Sequence, residues 1–289
     1  MASLKEIRSR IASVNSTLKI TSAMKMVASA KLHRVQSNAE ALTEYEKHLS
    51  LMASVLVRRL GDSVVSPLTL PHKTERHAAV VAIASNGSLC GAFNANAVHA
   101  LEDTVKRLHN EGVADITIYP VGEKIVQAAH KAGYDTCDDF QSLAGAPAYD
   151  RTTDLARRLM EQFTAGKIDR VLLVYNHFHS MGHQKPCEEI FLPMDFSANE
   201  AGAEEGNPDL YLFEPEAPRL LDELIPYALR TRMYRVLLDS ATAEHAARTV
   251  AMQTASDNAR ELLDELSLSY NKRRQQAITD ELADIAGAN

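Results

Sequence analysis

Apolar positions recur along the first sixty residues in alternating steps of three and four. Leu4, Ile7, Ile11, Val14, Leu18, Ala28, Leu32, Val35, Ala39, Leu42, Leu49, Ala53, Leu56 and Leu60 all fall on one seven-residue a/d register, and only Thr21, Lys25 and Glu46 interrupt it. No glycine or proline occurs in that stretch. A narrow apolar seam that keeps phase over so many turns predicts a long helix that needs a partner helix. The stretch from Tyr227 to Ala286 has the same uninterrupted helical chemistry, so the partner is expected within the chain. At a rise of about 1.5 Å per residue, each helix would be on the order of 90 Å long. Ser3 and Glu6 have capping-box spacing and give the first helix a defined start. Gly61, followed by Pro67 and Pro71, is expected to stop it.

Between the two helical ends the pattern changes. Ala78 to Ser85 is a short β-branched run of the kind found in buried strands, and Ile116 to Val121 and Arg170 to Tyr175 read alike. Ile190 to Met194 is expected to add an edge strand. Helices are predicted over Asn94–Asn110, Glu123–Ala132 (ending at Gly133) and Leu155–Phe163. Strands alternating with helices imply a small, at least partly parallel sheet covered on both faces. Asn199 to Asp209 reads as an acidic, glycine-bearing linker, and Pro215, Pro218 and Pro226 punctuate the approach to the second long helix. The expected organisation is an N-terminal coiled-coil helix (1–62), a central Rossmann-like α/β domain (76–196) and a C-terminal coiled-coil helix (208–289). The insert leaves near Leu60 and returns near Pro226, which makes an antiparallel pair the simplest geometry. The axial register of that pair is left open.

Charge sharpens this picture. The chain carries a net charge of -7, which argues against a general nucleic-acid binder. Yet Glu6 is the one acidic residue before Glu40, against Lys5, Arg8, Arg10, Lys19, Lys25, Lys31 and Arg34, and Lys272, Arg273 and Arg274 form a second basic cluster. These define either solvated helix faces or a basic sleeve turned towards acidic partner surfaces. Trp is absent and no aromatic residues interleave with the basic ones, which disfavours nucleic acid further. Three scattered cysteines (Cys90, Cys137, Cys187) fit a reducing compartment. No apolar run is long enough to span a membrane, and the first residues lack the apolar core of a signal peptide.

Candidate chemistry is sparse. Ser85 to Gly91 follows a strand and precedes a helix, where α/β folds bind phosphates, but its spacing matches neither the dinucleotide fingerprint nor the P-loop. A tight turn that needs glycine is the simpler reading. His177, His179, His183 and Cys187 are zinc-ligand types, yet their spacing is that of no known finger, and Gly182 and Pro186 suggest an exposed loop. Cys90 has no histidine nearby in sequence and reads as a packed thiol. The carboxylate pairs Asp138-Asp139 and Glu188-Glu189 have no acid/base context. No catalytic constellation emerges, and no cofactor or metal is expected.

The two helical ends carry a family likeness. Leu4-Lys5-Glu6-Ile7-Arg8-Ser9-Arg10-Ile11-Ala12-Ser13-Val14, continued by Lys19-Ile20-Thr21-Ser22-Ala23-Met24-Lys25-Met26-Val27-Ala28, resembles the N-terminal signature of the gamma subunit of bacterial F-type ATP synthase. Glu244-His245-Ala246-Ala247-Arg248, Ala251-Met252, Tyr270-Asn271, Arg274-Gln275, Ile278-Thr279 and Glu281-Leu282 are similar to its C-terminal signature. Ser85 to Asn94 resembles the family's central turn, with Asn86-Gly87-Ser88 in place of the usual acidic-basic-glycine sequence.

The resemblance implies a non-catalytic rotor shaft. It couples hydrogen-ion transport to ATP synthesis and hydrolysis in a ring of three alpha and three beta subunits. Its insert sits beside the epsilon subunit and the membrane c-ring, at the cytoplasmic side of the inner membrane and without inserting into it. It also implies that Met24, Lys25, Arg274, Gln275 and Thr279 meet the ring, while Ile278, Leu282 and Ile285 run in its upper bearing; simple coiled-coil packing is the competing role for Met24 and Met26. Two other readings stand beside the shaft: a non-rotary coiled-coil adaptor with an α/β head, and a nucleotide-dependent enzyme centred on the glycine turn.

Overall fold

The computed structural model describes residues 3–60, 66–144, 147–195, 214 and 216–287. The expected linker at Asn199–Asp209 and the stop at Gly61 lie outside them. In chain order the elements are α1 (Leu4–Leu60), β1 (His77–Ile83), α2 (Phe93–Asn110), β2 (Asp115–Val121), α3 (Glu123–Ala132) and β3 (Asp135–Thr136). A 3-10 helix (Asp138–Ala144), α4 (Tyr149–Thr164), β4 (Arg170–Ser180), β5 (His183–Leu192) and α5 (Ala217–Gly287) complete them. The chain divides into two compact units, one of residues 1–30 with 248–289 and the other of residues 31–247.

In the larger unit the sheet runs β3-β2-β1-β4-β5, with β1 to β4 parallel and β5 antiparallel at the edge. Its central strand β1 is buried on both faces. Ala78, Val80 and Ala82 face a core built with Ala97, Leu101 and Leu108 of α2 and Ile125 and Ala129 of α3. Ala79, Val81 and Ile83 face the opposite core, shared with Leu155, Leu159 and Phe163 of α4, Leu49, Ala53 and Leu56 of α1 and Leu221 to Leu237 of α5. Alternate residues of one strand thus serve two different cores, as the pleat requires. Gly122 turns β2 into α3 at φ 107° beneath the end of β1; a Cβ there would sit 2.2 Å from the Ala84 carbonyl oxygen.

Three expectations change. The second long helix begins at Ala217 and passes through Pro226. Proline forfeits one helix hydrogen bond, at a cost of about 3 kcal/mol. Here the apolar face on both sides of it (Leu221, Leu224, Ile225, Ala228, Leu229) is anchored in the core and holds the helix together. Residues 170–192 form a long hairpin rather than a short strand and an exposed loop. Gly182 lies in its turn, and Pro186 is tolerated inside β5 because that strand is the edge of the sheet. Finally, α4 starts at Tyr149, six residues before Leu155, because Thr152 and Thr153 are buried and extend the packed face.

In the smaller unit α1 and α5 are antiparallel. Ser256 donates to the Thr21 hydroxyl at 2.8 Å, while Ser3 and Leu4 line a shallow groove with Lys272 and Gln276. This supplies the register that the sequence left open. From Ser256 onward coverage along α5 follows the same three-four alternation as α1: Ser256, Ala259, Leu263, Leu266, Tyr270, Arg273 and Ala277 are the covered positions. The first helix opens with the expected capping box: Ser3 N–H donates to Glu6 at 2.7 Å, and Glu6 N–H to Ser3 Oγ at 3.3 Å.

Candidate functional site on the paired helix ends

The seam itself is largely spent on packing. Ile7, Ala28 and Met252 are buried, and Thr21, a break in the apolar pattern, fills its seam position by pairing with Ser256 and donating to the Leu18 carbonyl. What the pairing leaves outside is distinctive. Ile20, Met26 and Val27 on α1 are each more than half exposed, as are Leu268 and Leu282 on α5. Single exposed apolar residues are ordinary, but a run of them on two paired helices marks a surface that meets something else.

The residues expected at this surface fall as follows. Met24 and Lys25 are half-buried at the seam edge, so packing and external contact are both open to them. Arg274, Gln275 and Thr279 are exposed on α5, the Thr279 hydroxyl donating back to the Gln275 carbonyl at 2.9 Å. Ile278 and Leu282 are exposed as well, while the side chain of Ile285 lies outside the described residues. Among the described residues neither Lys25 nor Arg274 has an ion-pair partner, whereas Arg260 in the same unit is paired with Asp257. Lys5, Arg8, Arg10 and Lys19 are also exposed, so the α1 part of the unit presents a basic outer surface, whereas α5 exposes Glu261, Asp264, Glu265, Asp280 and Glu281 beside Lys272 and Arg274.

The other candidate groups are absorbed by the fold. In the Ser85–Gly91 turn, Asn94 Oδ1 accepts from both the backbone N–H (3.1 Å) and the hydroxyl (2.8 Å) of Ser85, and Asn94 Nδ2 donates to the Gly87 carbonyl. Cys90 is buried against Phe93, Phe178, Ala243 and Ala247, so this turn is a docking element packed on α5. The histidines of the hairpin do not converge. His177 Nδ1 lies 2.5 Å from Asp239, the His179 and His183 rings meet edge to face at 5.8 Å, and Cys187 is a half-buried thiol pushed up by burial. Among the described residues no three histidine, cysteine or acidic side chains are grouped to hold a metal ion. Neither carboxylate pair acts as a unit: Asp138 pairs with His130 and Asp139 with Arg158. Glu188 binds Thr104 and Arg107 on one face of the sheet, while Glu189 binds Tyr175, Arg232 and Arg235 on the other.

One polar cluster escaped the sequence reading. Arg235 of α5 is almost covered between Glu46 of α1 and Glu189 of β5, and Glu189 also accepts from Tyr175 and pairs with Arg232. Burial works against the charges of both Glu189 and Arg235. The cluster overrides it for each: Arg235, Tyr175 and Arg232 draw Glu189 below the usual carboxylate range, and Glu46, Tyr175 and Glu189 raise Arg235 further. On Glu46 burial prevails over the two arginines and raises it. The one hint in the sequence was Glu46, a charge on an apolar register.

Residues 3–289 match the ATP synthase family model. The chain is 48% identical to the ATP synthase gamma chain of Bacteroides fragilis, with all of this chain and 99% of that one covered, and 45% identical to that of Phocaeicola vulgatus over the same shares. Its fold is similar to a chain in the mitochondrial ATP synthase of Euglena gracilis (OSCP/F1/c-ring, rotational state 3). That likeness has a TM-score of 0.60 and 21% identity, and covers 99% of this chain and 93% of that one. A chain of the central stalk and c-ring structure from Tetrahymena thermophila gives 0.56 at 24% identity, over 82% of this chain and 99% of that one. With the family match and the curated relatives both spanning essentially its whole length, the chain belongs to the ATP synthase gamma chain family.

Proposed function

We propose that the exposed outer surface of the paired helix ends is where this chain, as the non-catalytic central shaft of ATP synthase, presses on the catalytic ring. The observation that carries the reading is the pair of unpartnered cations, Lys25 and Arg274, set among exposed apolar side chains on helices whose seam is already filled. Cations without partners complement acidic levers on the ring, and Gln275 and Thr279 add hydrogen-bonding groups beside Arg274. Ile278, Leu282 and Ile285 continue the helix as the apolar end that turns in the ring's bearing. The ring is three alpha and three beta subunits. The α/β domain meets the epsilon subunit and the c-ring, and the whole is a peripheral assembly on the cytoplasmic side of the inner membrane. No described helix is long and apolar enough to cross a membrane.

A shaft can drive chemistry without touching it. Three chemically identical subunits facing one asymmetric shaft receive different contacts, and only a difference in contact free energy shifts a conformational equilibrium. Moving a subunit from 1:99 to 99:1 between two states takes about 5.5 kcal/mol. Hydrogen bonds to charged groups contribute about 1.5–3 kcal/mol each, so two to four of them, made and broken as the shaft turns, have the required size.

The test is a photo-crosslinker placed at Gln275 and, for comparison, at Lys131 on the outer surface of α3, in the complex purified from its own cells. Adducts to the large nucleotide-binding subunits from position 275 and not from 131 are expected. Equal labelling from both positions, or none from 275, rejects the surface.

A further inference from the structure

One face of α5 is committed, turn after turn, to the sheet. Arg232 and Arg235 reach Glu189 of β5. One turn on, Asp239 Oδ1 accepts the Phe178 N–H of β4 at 3.0 Å, and its Oδ2 lies 2.5 Å from His177 Nδ1. Ala243 and Ala247 then pack on Cys90 and Phe93 of the turn before α2. The spacing 235, 239, 243, 247 is a single stripe along the helix. Its first member is also gripped from α1, because Glu46 holds the guanidinium from the other side. Arg235 therefore joins three elements that are distant in sequence, and both long helices take part.

We propose that Arg235, with Glu46 and Glu189, and Asp239, with His177 and Phe178, form a polar interlock that fixes the α/β domain against twisting on α1 and α5, making Arg235 a positioning residue for torque transfer. The inference rests on the shaft reading and adds to it which side chains carry the load. Apolar contacts hold surfaces together but resist sliding weakly, since they are non-directional. Hydrogen bonds to covered carboxylates have fixed geometry, as Glu189 accepts from Arg235 at 3.3 Å and Asp239 from the Phe178 N–H at 3.0 Å, while Glu46 faces the same guanidinium as an ion pair; a covered charge torn from its partners is left unsolvated. Two such points one helical turn apart, engaging adjacent strands, oppose rotation of the helix relative to the sheet. Arginine suits the first, because its planar fork can hold two carboxylates at once, which a lysine ammonium does less well. The interlock touches no reacting group and none of the residues assigned to the ring surface.

The experiment compares the intact membrane-bound complex carrying Arg235→Met with wild type, reading ATP hydrolysis and proton pumping together against an imposed opposing gradient. Hydrolysis is expected to continue, while protons moved per ATP fall about fivefold or more. Arg235→Lys should restore part of the ratio, because the ammonium still meets one carboxylate. A loss of packing alone would lower the amount of complex without changing its ratio. If Arg235→Met does not assemble, Glu46→Gln and Asp239→Asn carry the same reading; Asn still accepts from Phe178 while losing the charge facing His177. An assembled variant that pumps with the wild-type ratio against the gradient overturns the interlock. A wild-type complex in which hydrolysis and pumping are not linked would overturn the shaft reading instead, so the two failures are distinct.

Discussion

Two stretches of α5 have similar helical chemistry and opposite surroundings. From Val236 to Glu244 every residue is buried, whereas from Arg260 to Ala283 only one residue in three or four is even half covered. The difference lies less in the helix than in what is laid against it. The buried stretch has the sheet on one side and α1 on another, so its polar members need partners: Asp239 has His177 and the Phe178 N–H, and Thr242 donates to the Leu238 carbonyl. Among the described residues the exposed stretch has α1 alone, and a single antiparallel partner covers a stripe and nothing more. One stretch anchors the helix; the other is free to offer its outer surface.

The comparison breaks most visibly at the anchored end. Leu229 is fully buried in the core under the sheet, and Leu229→Ala should cost about 2–5 kcal/mol in chemical denaturation of the purified chain. The same truncation at Leu268, which is three-quarters exposed, should fall within about 0.5 kcal/mol. Gly122→Ala is next: its φ of 107° alone costs about 1–3 kcal/mol, before the collision with the Ala84 carbonyl is relieved. Asp169 is a third case. Burial would raise it, but hydrogen bonds from the His77 N–H, the His72 ring and the Arg76 N–H hold its carboxyl below the usual range. A depressed carboxylate contributes stability that is complete above its unfolded value, about pH 4, and is lost as pH falls through the folded one. Asp169→Asn should therefore cost about 1–3 kcal/mol at pH 7, with the gap to wild type closing at pH values well below 4. A gap that stayed constant down to pH 2 would show that the charge contributes nothing.

How much of this was legible follows the same division. The seam of α1 reads directly from the sequence because a helix with one partner buries one stripe, and coverage at Leu4, Ile7, Ile11, Val14 and Leu18 keeps that period. Even its polar interruptions were visible; what was not visible was that Thr21 meets Ser256 and Glu46 meets Arg235, since those partners lie some two hundred residues away. The start of α4 was missed because Ala148 offers no capping side chain. Pro186 and Pro226 misled for one reason: proline is punctuation only when tertiary packing does not override it, and an edge strand and a deeply anchored helix both do. The basic character of the α1 end was visible as charge, but the choice of particular side chains on the exposed surface came through family likeness, because a contact made outside the chain leaves no periodic trace.

The smallest expected effects lie at the exposed end, and they sharpen the comparison. Ser256→Ala removes one seam hydrogen bond while Thr21 still donates to the Leu18 carbonyl, so a loss of about 1 kcal/mol is expected. Adding Thr21→Val should leave a total well below the sum of the two single changes, because both remove the same bond. A strictly additive result would mean that the bond contributes nothing in solution. Arg274→Glu should change unfolding by no more than about 0.5 kcal/mol, since an exposed arginine without an ion-pair partner has little to lose. Its effect should appear only in the assembled machine, as a fall in protons pumped per ATP hydrolysed, because on the proposed reading reversal sets a like charge against acidic levers of the ring. If folding suffers while the ratio holds, Arg274 is part of the seam and not of the working surface, and the division between anchored and exposed stretches of α5 does not mark where the shaft does its work.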